Sequence, residues 1–245
     1  MGTKTGVILA AGRGKRLDRP NTIKPLIRVG NQPLIIRNIR ALQDVGIKKI
    51  FVVVGYKGEI LEKELIANPV ITAEIKIIEN SRWNEGIYTS LLCLRNNIKD
   101  RFFLSVCDIV SEKNLYNSFS NQDLNFNGIV CLVQKASDQG GSSGATSKIQ
   151  QLKDHNILVG ATLTEYDSIE VGIYHFGGGV LNKLENFIEK DLYLNNEHSV
   201  LKLVSKYDQK KFCYLGKQQW FDVNTPATMI QAEMSIRKHH VSIKK

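Results

Sequence analysis

The chain has 245 residues, of which 42% are hydrophobic and 23% charged. That length fits one large α/β domain or two small ones with a real core, and the composition argues against intrinsic disorder. Thirty-three Lys and Arg against 24 Asp and Glu leave a formal charge of +9, an excess that nucleic acid, a membrane surface or an anionic substrate would each explain.

No apolar run approaches the roughly 18–20 residues that span a bilayer. The N-terminus lacks the apolar core of a secretory signal. Met1-Gly2 opens like a myristoylation signal, but Gly6 stands where Ser or Thr is wanted. Cys93, Cys107, Cys131 and Cys213 form no CxxC pair, and the first three sit in apolar runs. Reduced, buried thiols in a cytoplasmic protein are expected, rather than a disulfide framework or a zinc site. The basic residues are spread along the chain without an aromatic-interleaved stripe. Arg237-Lys238-His239-His240 and Lys244-Lys245 read as a solvated tail, so nucleic acid is not the expected partner.

Residues 5–10 read as a strand entering a Gly-rich turn, and 33–45 as a helix whose apolar face includes Leu34, Ile35, Asn38, Ile39, Leu42 and Val45. Strands are expected at 48–54, 74–78 and 102–107, with helices at 59–66 and 89–97. This alternation predicts a mostly parallel sheet with right-handed crossovers. The second half is less regular: strands at 128–134, 148–152, 169–176 and 211–214, helices at 182–190 and 199–207, and a loop at 138–144. Thr225-Pro226 starts the last helix, with Thr as cap and Pro in the first turn. One α/β domain over 1–245, with a small irregular β excursion or lid, is the expected organisation.

The informative segment is Leu9-Ala10-Ala11-Gly12-Arg13-Gly14-Lys15-Arg16-Leu17, followed by Lys24-Pro25-Leu26. A glycine turn after a parallel strand lets backbone N–H groups approach a ligand closely. Arg13, Lys15, Arg16 and Lys24 would suit a polyphosphate. A P-loop would need Gly at Leu9 and Ser or Thr at Arg16; a dinucleotide fingerprint would need Gly at Leu17. From the residues alone, a phosphate cradle and a basic surface loop with structural glycines stand as alternatives.

LAAGRGKRL followed by KPL resembles the signature of nucleotidylyltransferases with the GT-A-like, Rossmann-type fold, which join an NTP to a phosphorylated small molecule and release pyrophosphate. The resemblance implies that Leu9, Ala11, Gly12, Arg13 and Gly14 form the nucleotide-binding loop. It also implies that Arg16 holds the triphosphate and that Lys24 stabilises the transition state. Asp18-Arg19-Pro20-Asn21-Thr22-Ile23 would be a variant of the family's connecting loop.

Such chemistry gathers negative charge and calls for Mg²⁺ on one or two carboxylates. Asp108 follows a buried strand, and Asp222 lies in Trp220-Phe221-Asp222-Val223-Asn224-Thr225-Pro226. Taken alone, each Asp could equally begin a turn or cap a helix. The resemblance implies that the two hold the metal, with Asn224 structural. Asp18, Glu112 and Asp123 read as surface residues.

Asn84-Glu85-Gly86 with Ser90-Leu91 is similar to the N-G-Y-S-L stretch of cytidylyltransferases, with Ile87-Tyr88-Thr89 inserted. Glu85, Gly86 and Ser90 are thereby implied at the nucleotide. Ala145-Thr146-Ser147-Lys148-Ile149 and Ile169-Glu170-Val171-Gly172 resemble stretches of CTP:inositol-1-phosphate cytidylyltransferases, which would put Lys148 and Glu170 at the acceptor; Lys148 as a plain surface lysine is the alternative. The expected activity is Mg²⁺-dependent transfer of a cytidylyl group from CTP to inositol 1-phosphate. Phosphocholine, sugar 1-phosphates, UTP or GTP, and a nucleotide-binding regulatory module are the alternatives. The sequence permits a homodimer. Bifunctional members of the family continue into a membrane-embedded CDP-alcohol phosphotransferase domain; for these residues the expectation is the catalytic domain alone, with any such step on another chain.

Overall fold

The computed structural model describes residues 3–17, 22–111, 114–119, 126–138, 147–152, 156–184 and 199–242. The strands, in chain order, are β1 (Thr5–Leu9), β2 (Arg28–Val29), β3 (Gln32–Pro33), β4 (Lys49–Val54), β5 (Glu74–Glu79), β6 (Phe102–Val106), β7 (Ile109–Ser111), β8 (Ile129–Lys135), β9 (Lys148–Gln151), β10 (Ile157–Gly160), β11 (Ser168–Phe176), β12 (Lys210–Tyr214) and β13 (Trp220–Asp222). Helices α1 (Leu34–Asp44), α2 (Gly58–Ile66) and α3 (Ile87–Leu92) lie in the first half. Helices Val200–Ser205 and Pro226–Ser242 follow in the second.

β5, β4, β1 and β6 lie side by side and all run parallel. β1, β4 and β6 are near-continuous apolar runs, as a sheet covered on both faces requires, whereas the edge strand β5 alternates with charged residues and is partly exposed. Side chains alternate across the sheet. Val7, Leu9, Phe51, Val53, Phe102 and Leu104 point into one core. Ile8, Ala10, Ile50, Val52, Val54 and Phe103 point into the other, which α1 closes with Ile35, Ile39 and Leu42. Each fully buried Ile or Leu stabilises the fold by about 1.5–3 kcal/mol.

Beyond β6 the sheet turns antiparallel through β11. The Ile173–Phe176 end of β11 pairs with β6, its Ser168–Ile169 end pairs with β9, and β8 runs along its other side. A bulge separates the two ends, with Gly172 at φ +84°. β9 and β10 pair antiparallel and extend the same sheet past β11. β7 and β13 make a separate two-stranded ribbon against a third core of Leu17, Val29, Leu34, Val110, Phe221, Val223 and Ile236.

The expected elements appear with small shifts, and the largest concerns the helix expected at 89–97. It starts at Ile87, after Gly86 at φ +115°, and ends at Leu92. Tighter hydrogen bonds from Leu94 N to Leu91 O and from Arg95 N to Leu92 O then break the α pattern. β7, β10, β13 and the β2–β3 hairpin were not expected. Residues 18–21, Glu112, Asp123, 139–146, 185–190 and the tail at 243–245 lie outside the described residues, so the readings placed there have no structural counterpart. No helix among the described residues is long and apolar enough to cross a membrane.

Candidate active site

β1 and β6 run parallel, with Leu9 beside Val106, so the segments after both strands emerge at the same sheet edge. This is where open α/β sheets bind ligands. After β1 the chain is pinned by Ala10 N donating to Val53 O at 2.9 Å and Tyr56 N donating to Ala11 O at 3.0 Å. Leu9 and Ala11 are buried in the core, while Gly12, Arg13, Lys15 and Arg16 are exposed. The two loop glycines have different reasons. Gly14 has φ +72°, and a Cβ there would stand 2.8 Å from Lys24 Cβ. A Cβ on Gly12 would meet nothing within 4 Å, so the protein itself does not require glycine there; a closely approaching ligand would.

Lys24 opens a short 3₁₀ turn, Lys24–Leu26. Its side chain is buried, and Nζ donates to Asp108 Oδ2 and to Asn224 Oδ1. Burial pulls the Lys24 pKa down, but Asp108, assisted by Asp222, outweighs it, and the net shift is upward. The side chain is therefore a fixed ammonium.

Asp108 sits between β6 and β7, and its carbonyl accepts from Val223 N at 3.0 Å. In the β7–β13 ribbon Asp222 lies opposite Ile109, the residue after Asp108. Burial first, then the charge and contact of Asp108, push Asp222 well above the usual carboxylate range; Lys24 and Arg16 act against this. Asp108 Oδ1 and Asp222 Oδ1 are both buried without a hydrogen-bond partner. Two crowded carboxylates with two orphaned oxygens are a donor set that a hard divalent cation fits. Among the described residues no third His, Cys, Asp or Glu joins them, which suits Mg²⁺, since it takes few protein ligands and completes its shell with water and phosphate oxygens.

Asn224 thus belongs to the cluster as the second anchor of Lys24. Thr228 Oγ1 holds its backbone, accepting from Asn224 N at 3.2 Å and Thr225 N at 3.1 Å. Trp220 is fixed by Nε1 donating to Gln134 Oε1 at 3.0 Å.

The loop before α3 meets the glycine loop through aromatic contacts. Tyr56 and Trp83 pack edge-on at 5.5 Å, and Arg13 lies 5.4 Å from the Tyr56 ring. A Cβ on Gly55 would stand 2.5 Å from Trp83 Cβ, so Gly55 permits this approach. Glu85 is half-buried and engaged by Arg82, whose Nε and Nη2 donate to it at 2.8 and 2.6 Å. Ser90 is buried, its hydroxyl accepting from Asn80 Nδ2 at 3.0 Å; the same amide reaches Thr89 Oγ1 at 2.9 Å. Neither Asn80 nor Tyr56 carries a sequence signal for these contacts beyond its place after a strand, β5 for Asn80 and β4 for Tyr56.

The two acceptor candidates are occupied otherwise. Lys148 Nζ donates to Leu163 O at 2.8 Å and lies 4.7 Å from the Tyr166 ring. Glu170 accepts from Ser199 Oγ at 3.1 Å and is also bonded by the Ser147 hydroxyl and Leu201 N–H. Burial, opposed by those bonds and assisted by the Asp108 charge, pushes Glu170 up to about 7. The fold brings together Gly14, Lys24, Asp108 and Asp222, with Arg16 close enough for its charge to act on Asp222 and Gly12 in the same loop two residues before Gly14.

The model of a family described as the MobA-like NTP transferase domain matches residues 6–159. A bifunctional IPC transferase and DIPP synthase of Thermococcus kodakarensis is 27% identical over 227 residues, covering 92% of this chain and 49% of the relative. A protein of the same description from Aquifex aeolicus is 26% identical over 238 residues, covering 96% and 52%. The chain therefore spans about half the length of these curated relatives. Among solved structures, the inositol-1-phosphate CTP transferase from T. maritima superposes with a TM-score of 0.76 at 19% identity, over 96% of both chains. A putative glucose-1-phosphate thymidylyltransferase from Bacillus anthracis gives 0.78 at 18%, over 95% of both. At these identities the likeness establishes the fold: the GT-A-like, Rossmann-type nucleotidyltransferase architecture with its mostly parallel central sheet.

Proposed function

The chain belongs to the MobA-like NTP transferase family, and from that premise we propose that it transfers a cytidylyl group from CTP to a phosphorylated small alcohol, foremost inositol 1-phosphate, and releases pyrophosphate. The single observation that carries the reading is the buried Lys24–Asp108–Asp222–Asn224 cluster, with its two orphaned carboxylate oxygens, beside a glycine loop with open space at Gly12. The likeness to an inositol-1-phosphate CTP transferase of T. maritima supports CTP with an inositol phosphate as the first pair to test. We read residues 1–245 as one catalytic domain, because strands from both halves share the main sheet.

In this reading the Gly12–Gly14 backbone lies against the triphosphate while Arg13 and Arg16 bind its outer oxygens. The Lys24 ammonium, held at fixed distance by Asp108 and Asn224, offsets charge developing at the α-phosphate without reorganising. An acceptor phosphate oxygen attacks the α-phosphorus in line; the new P–O bond forms as the α–β bridge breaks, and pyrophosphate leaves. Asp108 and Asp222 would hold Mg²⁺, which supplies further neutralisation of phosphate charge. Glu85, Gly86 and Ser90 serve the base loop, and Lys148 and Glu170 the acceptor side. For Glu170 that role would act alongside its hydrogen bonds to Ser147 and Ser199.

The test is pyrophosphate release from CTP, UTP, GTP and dTTP, each paired with inositol 1-phosphate, phosphocholine and sugar 1-phosphates, with and without Mg²⁺. Turnover confined to CTP with inositol 1-phosphate is expected. Turnover with another pair corrects the substrate, and nucleotide binding with no turnover by any pair overturns the catalytic reading in favour of a regulatory module.

A further inference from the structure

Asn38 is 4% exposed in the middle of α1, surrounded by the apolar residues that close the core. Buried amides are costly unless bonded, and this one is bonded in an informative direction. Its Nδ2 donates to Cys107 O at 3.1 Å and Ile109 O at 3.3 Å, the two carbonyls flanking Asp108, and to Leu34 O at 2.9 Å within its own helix. All three partners are carbonyls, which only accept, so the amide nitrogen must face them. Its Oδ1 accepts from Ser105 Oγ on β6 at 3.3 Å. The Asp108 peptide is gripped from the opposite segment by Val223 N. A second tie, Asn114 Nδ2 donating to Ala41 O at 2.7 Å, joins α1 to the chain beyond β7.

We propose that Asn38 is a positioning residue for Asp108: by holding the carbonyls on both sides of that residue, it sets where the carboxylate stands relative to Asp222 and Lys24. The inference rests on the nucleotidyl-transfer reading and extends it to a residue that touches neither substrate nor metal. A leucine at 38 would keep the approximate shape and remove both donors. Asp108 would then remain tied by Val223 and Lys24 but lose its tether to α1. The carboxylate pair would be less well ordered for a divalent cation, as happens when groups behind metal ligands are removed.

The experiment compares wild type, Asn38→Leu and Asn38→Ser with Leu42→Ala, a buried residue of the same helix with no bond to the Asp108 turn. Mn²⁺ binding is followed by loss of the free-ion EPR signal in the presence of a CTP analogue with a methylene α–β bridge. Pyrophosphate release is measured against Mg²⁺ and against CTP, and thermal melting reports stability. Asn38→Leu is expected to raise the Mn²⁺ midpoint and the Mg²⁺ requirement about tenfold, with the KM for CTP at saturating Mg²⁺ changed less than about twofold. Asn38→Ser, which keeps one donor, should fall between wild type and Asn38→Leu, and it carries the test if the leucine variant does not fold. Leu42→Ala should melt earlier and bind Mn²⁺ as wild type does. Asn38 variants that melt earlier but keep wild-type Mn²⁺ and Mg²⁺ midpoints overturn the inference while leaving the catalytic reading intact. A wild-type chain that neither binds Mn²⁺ nor turns over any NTP overturns both.

Discussion

Lys24 and Asp108, 84 positions apart in the chain, meet as a buried ion pair whose ammonium is also held by Asn224. Removing one partner of such a pair leaves an uncompensated buried charge. Lys24→Met should therefore destabilise the protein by about 3 kcal/mol and lower turnover by roughly 100-fold. Urea denaturation and pyrophosphate release measure the two effects. Wild-type turnover by a folded Lys24→Met protein would remove Lys24 from the chemistry.

Asp222 should show the opposite balance. Without ligand it is crowded by Asp108 and by burial, so Asp222→Asn relieves repulsion at no cost in shape. The variant should melt higher than wild type by a few degrees, on the order of 1 kcal/mol, and lose about 100-fold in turnover. Mg²⁺ should raise the melting temperature of wild type in the presence of CTP and have little effect on the variant. A variant that is both less stable and fully active would contradict this account of the pair.

The two loop glycines should separate. Gly14→Ala forces a methyl into left-handed backbone against Lys24, costing about 1–2 kcal/mol of stability. Gly12→Ala meets open space, so its melting should stay within about 0.5 kcal/mol of wild type while the KM for the nucleotide rises. Circular dichroism and steady-state kinetics on both variants test this. Equal nucleotide KM values for Gly12→Ala and wild type would mean that no ligand approaches there.

Glu170 makes a pH prediction. Burial raises it from an ordinary 4.5 to about 7. Between those values the folded chain keeps a proton that the unfolded chain has lost. The stabilisation from that proton is complete below about 4.5 and is lost as pH rises through about 7. Wild type should therefore fall relative to Glu170→Gln by about 5–10 °C in melting temperature from pH 5 to pH 8. Parallel melting curves for the two proteins across that range would mean that Glu170 ionises normally.

How far the sequence could be read follows from the physics of each element. β1 and β4 are legible because strands buried on both faces read as unbroken apolar runs; Gly12, Gly14 and Lys24 stand out only through their likeness to a family signature, since the residues alone fit a basic surface loop as well. β7 and β13, at three residues each, are too short to show a period, yet they bring Asp222 beside Asp108. Asn38 looks like a flaw in an apolar stripe, since periodicity sorts residues by polarity and says nothing of which carbonyls a buried amide can reach. Asn224 has the structural role that its place suggests, but its distant partner Lys24 is not legible from local pattern. Glu170 was assigned to an acceptor by likeness, and its bonds to Ser147 and Ser199 depend on how β11 packs against a helix from later in the chain.

The β7–β13 ribbon also sets an order of events during synthesis. The glycine loop, Lys24 and Asp108 leave the ribosome early, and β1, β4, β5 and β6 can pair from that stretch alone. Asp222 and Asn224 come much later, with β11 needed in between to cover β6. A nascent chain thus carries Lys24 beside a single carboxylate, a neutral pair with no second ligand for a cation. If Asp108 and Asp222 hold a divalent ion as proposed, its capture becomes a late step of folding, and a chain released before residue 222 would have most of the sheet and only one of the two carboxylates.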